Sequence, residues 1–232
     1  MEVSVIGRGI YRFSKAAQLL RLESPSVNNA AVRRWAFGYL QGGKQYSGAI
    51  RYDNFSIETQ TLSFLELVEL AYISGMLESG ASWSKVRRAM QAARQMFPDD
   101  PHPFARREWF ADPGGIYLQL GEKRQDPLLL EMGNMQYAMK RLLRVYLKQL
   151  RFNAETQHAD MWSPLGDEKP IIVDPQRAFG LPIVASGVRT DVLAGYHRAG
   201  DPITRIASWY DIPEIEVEAA IDFEERLQPI AA

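Results

Sequence analysis

Residues 12–39, RFSKAAQLLRLESPSVNNAAVRRWAFGY, decide the fold of the front of the chain. Ser14 is of a residue type that caps helices, and apolar residues follow it at helical spacing until Pro25 interrupts the pattern. Residues 26–29 again favour a helix start, and Gly38 favours the end of this second helix. The stretch therefore predicts two short helices joined by a turn.

A short basic hairpin is expected directly after the second helix. Gly42 and Gly43 favour a tight turn between a strand at 39–40 and a second strand near 49–52. Two short helices followed by such a hairpin form a winged helix-turn-helix, a DNA-binding unit with the hairpin as its wing.

The middle of the chain carries further helical patterns. Ser63 and Glu66 have the spacing of a capping box and predict the start of a buried helix. Ser82 begins another helix that ends at Pro98, with Lys85, Arg87, Arg88 and Arg94 mostly outward. In contrast, residues 107–120, REWFADPGGIYLQL, predict a hairpin that turns at 112–115.

A long helix is predicted from about residue 127 to 151. Its apolar residues recur every three or four positions, which suits pairing with a second helix and suggests a homodimer. The alternative is that these residues belong to an ordinary core, where methionines commonly fill space. The residues of this seam are Met132, Met135, Met139, Leu142 and Tyr146.

The chain divides into a front domain at 1–151, a linker at 152–169 and a back domain at 170–232. The back domain has two short β-rich runs, around Gly180 and Gly187, followed by three helices in a helix-turn-helix rhythm. We therefore expect a mainly α-helical protein with short β-hairpins. Its winged helix-turn-helix front domain, which includes the long helix, precedes a small α+β domain.

The net charge of the chain is close to zero, but the charge is unevenly distributed. The chain has 27 Lys and Arg against 28 Asp and Glu among 232 residues. Residues 1–51 hold eight basic and two acidic side chains, whereas residues 152–232 hold six basic and fourteen acidic ones. A basic front and an acidic back indicate different partners for the two parts.

The sequence contains no recognisable catalytic or metal-binding motif. It has no cysteine, and its three histidines, His102, His158 and His197, are widely separated. It also lacks the G-x-S-x-G and G-x-x-x-x-G-K motifs. We expect no enzyme activity, no metal and no cofactor. Because no signal peptide or long apolar run is present, we expect a cytoplasmic protein without a membrane segment.

The second helix carries the candidate DNA-reading residues. Its N-terminal residues would meet base edges in the major groove, and Asn28 and Asn29 occupy that position. Arg33 and Arg34 would bind a base or a phosphate; the alternative is an ordinary solvated face, and the wing and the basic charge of this region favour DNA. Further candidates for phosphate contacts are Arg12, Lys15, Lys44, Gln45 and Arg51.

The last helix is expected to avoid DNA because its carboxylates would repel phosphates. It would suit a protein partner with a basic surface, or else form a solvated acidic face. Its carboxylates are Glu214, Glu216, Glu218, Asp222, Glu224 and Glu225.

The segments YRFSKAAQLL, VRRWAFGY, LSFLELVELAYI and SWSKVRRAM together resemble the MerR-like winged helix-turn-helix. Residues 171–224 resemble a small domain of bacterial antitoxins, with Gly187-Val188-Arg189 where that domain usually has Gly-Thr-Arg. Together, the two parts are similar to long VapB-type antitoxins, which are encoded beside a PIN-domain ribonuclease toxin.

This resemblance implies an antitoxin of a type II toxin-antitoxin system that also represses its own operator as a dimer. Arg33 or Arg34 would then contact the DNA backbone, and Arg189 is the candidate side chain for the acidic site of the toxin. The alternative function is a stand-alone transcriptional regulator whose C-terminal domain senses a small ligand.

Overall fold

The computed structural model describes residues 7–50, 59–134, 143–145, 148–166 and 169–228. The expected fold class is confirmed, because helices dominate and the strands form short antiparallel pairs. Within the described ranges, no helix is both long enough and apolar enough to span a bilayer.

The front of the chain folds as a helical pair followed by a hairpin. Asn28 caps the second helix, because its side-chain oxygen accepts a hydrogen bond of 2.9 Å from the backbone N–H of Ala31. The elements are β1 (Tyr11–Arg12), α1 (Phe13–Leu20), α2 (Asn29–Phe37), β2 (Gly38–Gln41) and β3 (Lys44–Ser47).

Two boundaries in this region differ from those predicted. The first helix begins at Phe13 with Arg12 at the N-cap position, so Ser14 does not cap it. The reason is that β1 runs directly into the helix. The second wing strand begins at Lys44, because Gly42 and Gly43 both have a positive φ and close a two-residue turn.

The middle of the chain is helical. The capping box at Ser63 is confirmed: its N–H donates to the Glu66 carboxylate over 2.6 Å, and its hydroxyl accepts from the Glu66 N–H over 3.3 Å. Ser82 caps the next helix as expected. The elements are β4 (Thr61–Leu62), α3 (Phe64–Glu78), α4 (Trp83–Met96), a 3-10 turn (Pro103–Ala105), α5 (Arg107–Ala111), α6 (Pro113–Arg124) and α7 (Pro127–Asn134).

The hairpin predicted over residues 107–120 is wrong, because this segment forms α5 and α6. Asp112 caps α6 by accepting a hydrogen bond of 3.3 Å from the Gly115 N–H, and Pro113 takes the first helical position. Asp followed by Pro is a favourable helix start as well as a turn signal. Trp109 and Tyr117, both fully buried, pack with ring centroids 5.5 Å apart and hold the two helices together.

The long helix predicted over 127–151 does not reach its expected end, because residues 150–152 form a strand. Met132 lies on α7 and is fully buried in the core of this chain. The other members of the proposed seam, Met135, Met139, Leu142 and Tyr146, lie outside the described residues.

The segment expected as a linker is partly built into the fold. Strand β5 (Leu150–Phe152) pairs with β6 (Ala159–Trp162), and Trp162 in turn exchanges backbone hydrogen bonds with Val173 over 3.0 and 2.7 Å. The division of the chain at residues 152–169 remains a prediction. The β5–β6 hairpin, which begins at Leu150 and ends within this segment, joins front and back through Val173.

The back part agrees with the expected order of two short strands and three helices. Helices α8 and α9 both pack against α10. The elements are β7 (Ile171–Ile172), a 3-10 turn (Ala178–Gly180), β8 (Ile183–Val184), α8 (Thr190–Arg198), α9 (Ile203–Tyr210) and α10 (Glu214–Leu227).

Front and back share a buried contact at β1. The hydroxyl of Tyr11 donates a hydrogen bond of 2.7 Å to the carbonyl of Gly180, and the N–H of Ile10 donates to the carbonyl of Phe179 over 2.8 Å. The Tyr11 side chain is fully buried, and burial raises its pKa. The front helices are therefore anchored directly to the 3-10 turn of the back part.

Candidate nucleic-acid interface

The candidate DNA-reading residues of helix α2 and its N-cap lie on the protein surface. Asn28, Asn29, Arg33 and Arg34 are all exposed, whereas Trp35 is only 8% exposed. Trp35 therefore packs in the core. The cap bond occupies the Asn28 carbonyl oxygen, which leaves Asn29 as the better placed amide for reading a base.

The wing carries further exposed candidates. Lys44 and Gln45 are exposed at the start of β3. Tyr39 and Tyr46 lie opposite each other across the hairpin and stack with centroids 4.8 Å apart and planes 11° apart. Tyr39 is thus half-buried against the wing itself, while Arg51 lies outside the described residues.

Two other candidates from the front have different surroundings. Arg12 is exposed on β1, next to α1. Lys15 instead faces the back part, where its ammonium nitrogen lies 3.6 Å from the Glu224 carboxylate and its side chain is 19% exposed. Because its charge is paired within the chain, this geometry does not favour Lys15 as a phosphate contact.

A groove of about 590 Å³ lies between β3 and α4. The Arg87 guanidinium sits 5.2 Å from the centroid of the Tyr46 ring, and the Lys44 ammonium lies 5.5 Å from the same ring. Arg94 donates a hydrogen bond of 2.8 Å to the carbonyl of Ala49. Helical periodicity predicts that these arginines point outward, but it does not predict their contacts with the wing. The available signal was the helical spacing of Arg87, Gln91 and Arg94 on one face of α4.

A second cavity of about 670 Å³ lies where front and back meet. Its walls come from residues 7–8, the start of α3, residues 101–102, the β5–β6 turn and residues 175–176. His102 and His158 both line it. These two histidines are far apart in the sequence, but the fold brings them to the same cavity.

Each of these histidines is paired with a carboxylate. The Nδ1 atom of His102 lies 3.2 Å from the buried Glu69 carboxylate, and Nε2 of His158 lies 2.9 Å from Asp100, which also pairs with Arg106. Burial raises the pKa of Glu69. Burial lowers the pKa of His102, but the hydrogen bond and charge of Glu69 outweigh this, so that the pKa is raised overall.

The His102–Glu69 pair thus lies at the edge of a cavity, where the hydrogen bond and charge of Glu69 favour the protonated imidazole. Within the described ranges, no three histidine or carboxylate side chains form a group suited to holding a metal ion.

Several charged side chains of the back part are paired within the chain. Arg189 pairs with Asp191 through two contacts, 2.9 and 2.5 Å long, and that hydrogen bond raises its pKa. Glu216 is buried and accepts from the Ser186 N–H and hydroxyl over 3.1 and 3.0 Å. Glu224 pairs with Lys15 of the front part. Because Glu216 and Glu224 both bind groups on other parts of the chain, α10 is not simply a solvated acidic face.

An exposed aromatic cluster lies on the back part. Tyr196 is 40% exposed and Trp209 is 56% exposed, and their rings meet edge to face at 5.6 Å. Tyr210 also packs against Tyr196, with ring centroids 6.1 Å apart. Exposed clusters of this composition are typical of protein-binding surfaces.

Comparison with known proteins adds two findings. Residues 171–223 match the family DUF433, described as a protein family of unknown function. The whole fold is similar to a crystal structure of Rv2018 from Mycobacterium tuberculosis, with a TM-score of 0.65 and 19% sequence identity. This similarity covers 96% of this chain and 99% of the other. No curated protein matches the chain. The fold is therefore shared along its length with a solved structure.

Proposed function

We propose that the protein is an antitoxin and autorepressor: its front part binds operator DNA as a homodimer, and another part of the chain binds a PIN-domain ribonuclease toxin. The observation that carries the DNA-binding half is the exposure of polar and basic side chains on α2 and on the wing that directly follows it. These side chains are Asn29, Arg33 and Arg34 together with Lys44 and Gln45. Arginine and asparagine are the residue types that read guanine and adenine in the major groove.

The DNA-binding half is tested with the double substitution Arg33→Ala with Arg34→Ala. We expect weaker binding to a fragment of the protein's own promoter, measured by fluorescence anisotropy at several salt concentrations. The slope of log affinity against log salt should become shallower by about 0.9 for each lost phosphate contact. The matched control is Arg198→Ala with Arg226→Ala, which removes the same charge from exposed positions of the back part. Equal affinity and slope in both double variants would contradict the proposal.

The toxin-binding half rests on the acidic back part and its exposed aromatic cluster. Tyr196 and Trp209 are of the residue types that dominate protein interfaces. The direct test is co-expression with the neighbouring reading frame, followed by purification of the complex and a ribonuclease assay. A stable complex in which nuclease activity is lost supports the antitoxin. A chain that purifies without any bound nuclease, together with full nuclease activity in the mixture, contradicts it.

The alternative of a stand-alone regulator with a ligand site is favoured by one observation, the cavity of about 670 Å³ between front and back. The alternative function expects the sensor in the C-terminal domain, whereas this cavity also involves residues 7–8 and the start of α3. A metabolite that changes operator affinity in the isolated protein would favour this function. Substitution of His158 by Ala should then abolish the response and leave basal DNA binding intact.

A further inference from the structure

We propose that the groove between β3 and α4 binds backbone phosphates of the DNA whose bases face α2. We call it the wing groove. One wall is formed by residues 44–49, and the other by the face of α4 that carries Arg87, Gln91 and Arg94. This assignment rests on the proposed DNA-binding function and extends the interface to a helix outside the helix-turn-helix.

The charge of the wing groove fits a polyanion. Lys44, Arg87 and Arg94 contribute positive charge, and none of the described residues that line the groove is Asp or Glu. The remaining polar side chains include glutamines and a serine, which donate hydrogen bonds to phosphate oxygens in protein–DNA complexes. Such a lining provides both charge and neutral donors along one surface.

The cations of α4 fall into two groups. On the side toward α6 and α7, Lys85 pairs with Glu131 over 2.5 Å and Arg88 pairs with Asp126 over 3.2 Å. On the side toward the wing, Arg87 lies over the Tyr46 ring, and no carboxylate among the described residues forms a salt bridge with it. A cation–π contact orients a guanidinium without neutralising its charge. Arg87 is therefore held in place and still available to an anion.

The wing groove is also fixed in shape. The Arg87 contact joins α4 to the stacked Tyr39–Tyr46 pair, and the hydrogen bond from Arg94 to the Ala49 carbonyl joins α4 to the chain beyond β3. Because both walls are tied together, the positions of the charges are set before a ligand arrives. Preorganisation of this kind reduces the cost of ordering side chains on binding.

The spacing of the groove residues suits a chain of phosphates better than a single small anion. Arg87 and Arg94 are seven residues apart, about 10 Å along the helix axis. Successive phosphates of one DNA strand are about 3.4 Å apart along the duplex axis, so a helix lying along that axis would span about three phosphate-to-phosphate steps over this distance. Gln91 lies between the two arginines on the same face. The groove also continues into Lys44 and Gln45, the exposed wing residues described above.

The test uses two substitutions in the full chain, measured on the promoter fragment by anisotropy at several salt concentrations. Arg87→Gln removes the charge and should make the salt slope shallower by about 0.9. Gln91→Glu adds a carboxylate to the wing groove at an exposed position whose side chain forms no hydrogen bond or ion pair within the described part of the chain, and affinity should fall about tenfold. The matched control is Gln228→Glu, which makes the same charge change at an exposed position of the back part and should bind like wild type.

The outcomes separate this assignment from the proposed function. If wild type binds the promoter and loses affinity with Arg33→Ala and Arg34→Ala, while Gln91→Glu binds like Gln228→Glu, the wing groove is not part of the interface. If wild type does not bind the promoter, both ideas fail. A melting temperature for Gln91→Glu equal to that of wild type, together with the tenfold loss, supports phosphate binding in the groove.

Discussion

The contact between Tyr11 and Gly180 allows a quantitative prediction about how front and back are joined. Tyr11→Phe removes one hydroxyl and leaves the packing of the ring unchanged. The carbonyl of Gly180 then loses the donor that lies 2.7 Å away at a buried position. A buried acceptor left without its partner costs about 1–3 kcal/mol. We therefore expect the free energy of unfolding to fall by about that amount.

The assay is urea unfolding followed by tryptophan fluorescence, with Tyr39→Phe as the matched control. Tyr39 is half-buried on the wing, where its ring rather than its hydroxyl makes the stacking contact. Its substitution should change the free energy of unfolding by no more than about 0.5 kcal/mol. Promoter affinity of Tyr11→Phe should remain that of wild type, because the Tyr11 side chain is fully buried and cannot contact DNA. If Tyr11→Phe is as stable as Tyr39→Phe, the hydrogen bond from Tyr11 to Gly180 does not contribute to the free energy of unfolding.

Two further predictions concern local stability. Asn28→Ala removes the cap of α2 and should lower the free energy of unfolding by about 0.5–2 kcal/mol, measured by urea unfolding; an unchanged midpoint would contradict the capping role. His102 has a raised pKa in the folded protein, so its protonation stabilises the fold below its unfolded pKa of about 6.5, and this stabilisation is lost as the pH rises through the folded pKa. The decrease in unfolding free energy between about pH 6 and about pH 9 should therefore be smaller in His102→Gln, and equal slopes in both proteins would refute the assignment.

Local signals in the sequence predicted much of the architecture. The cap at Asn28, the capping box at Ser63 and the turn at Gly42–Gly43 all depend on residues a few positions apart, and each forms as expected. The wrong prediction of a hairpin around Asp112 also comes from a local signal. Asp, Pro and Gly in sequence satisfy both a turn and a helix start, and the burial of Trp109 against Tyr117 selects the helix.

Contacts between distant segments could not be predicted. Lys15 and Arg33 are both basic residues on front helices, yet Lys15 pairs with Glu224 of the last helix while Arg33 stays exposed. Arg87 and Arg88 are adjacent, but one faces the wing and the other faces Asp126. Periodicity shows that such residues point outward, whereas their partners depend on how the helices pack.

The anchor at Tyr11 also has a consequence for the order in which the chain is made. Its partner, Gly180, lies 169 residues further along the chain. At translation rates of about 5–20 residues per second, the first strand leaves the ribosome roughly 10–30 s before its partner exists. The front helices can form during that interval, but β1 reaches its final surroundings only when the 3-10 turn at Ala178–Gly180 has been synthesised. A chain that stops short of this turn would therefore carry the α2 face without the support that completes the front part.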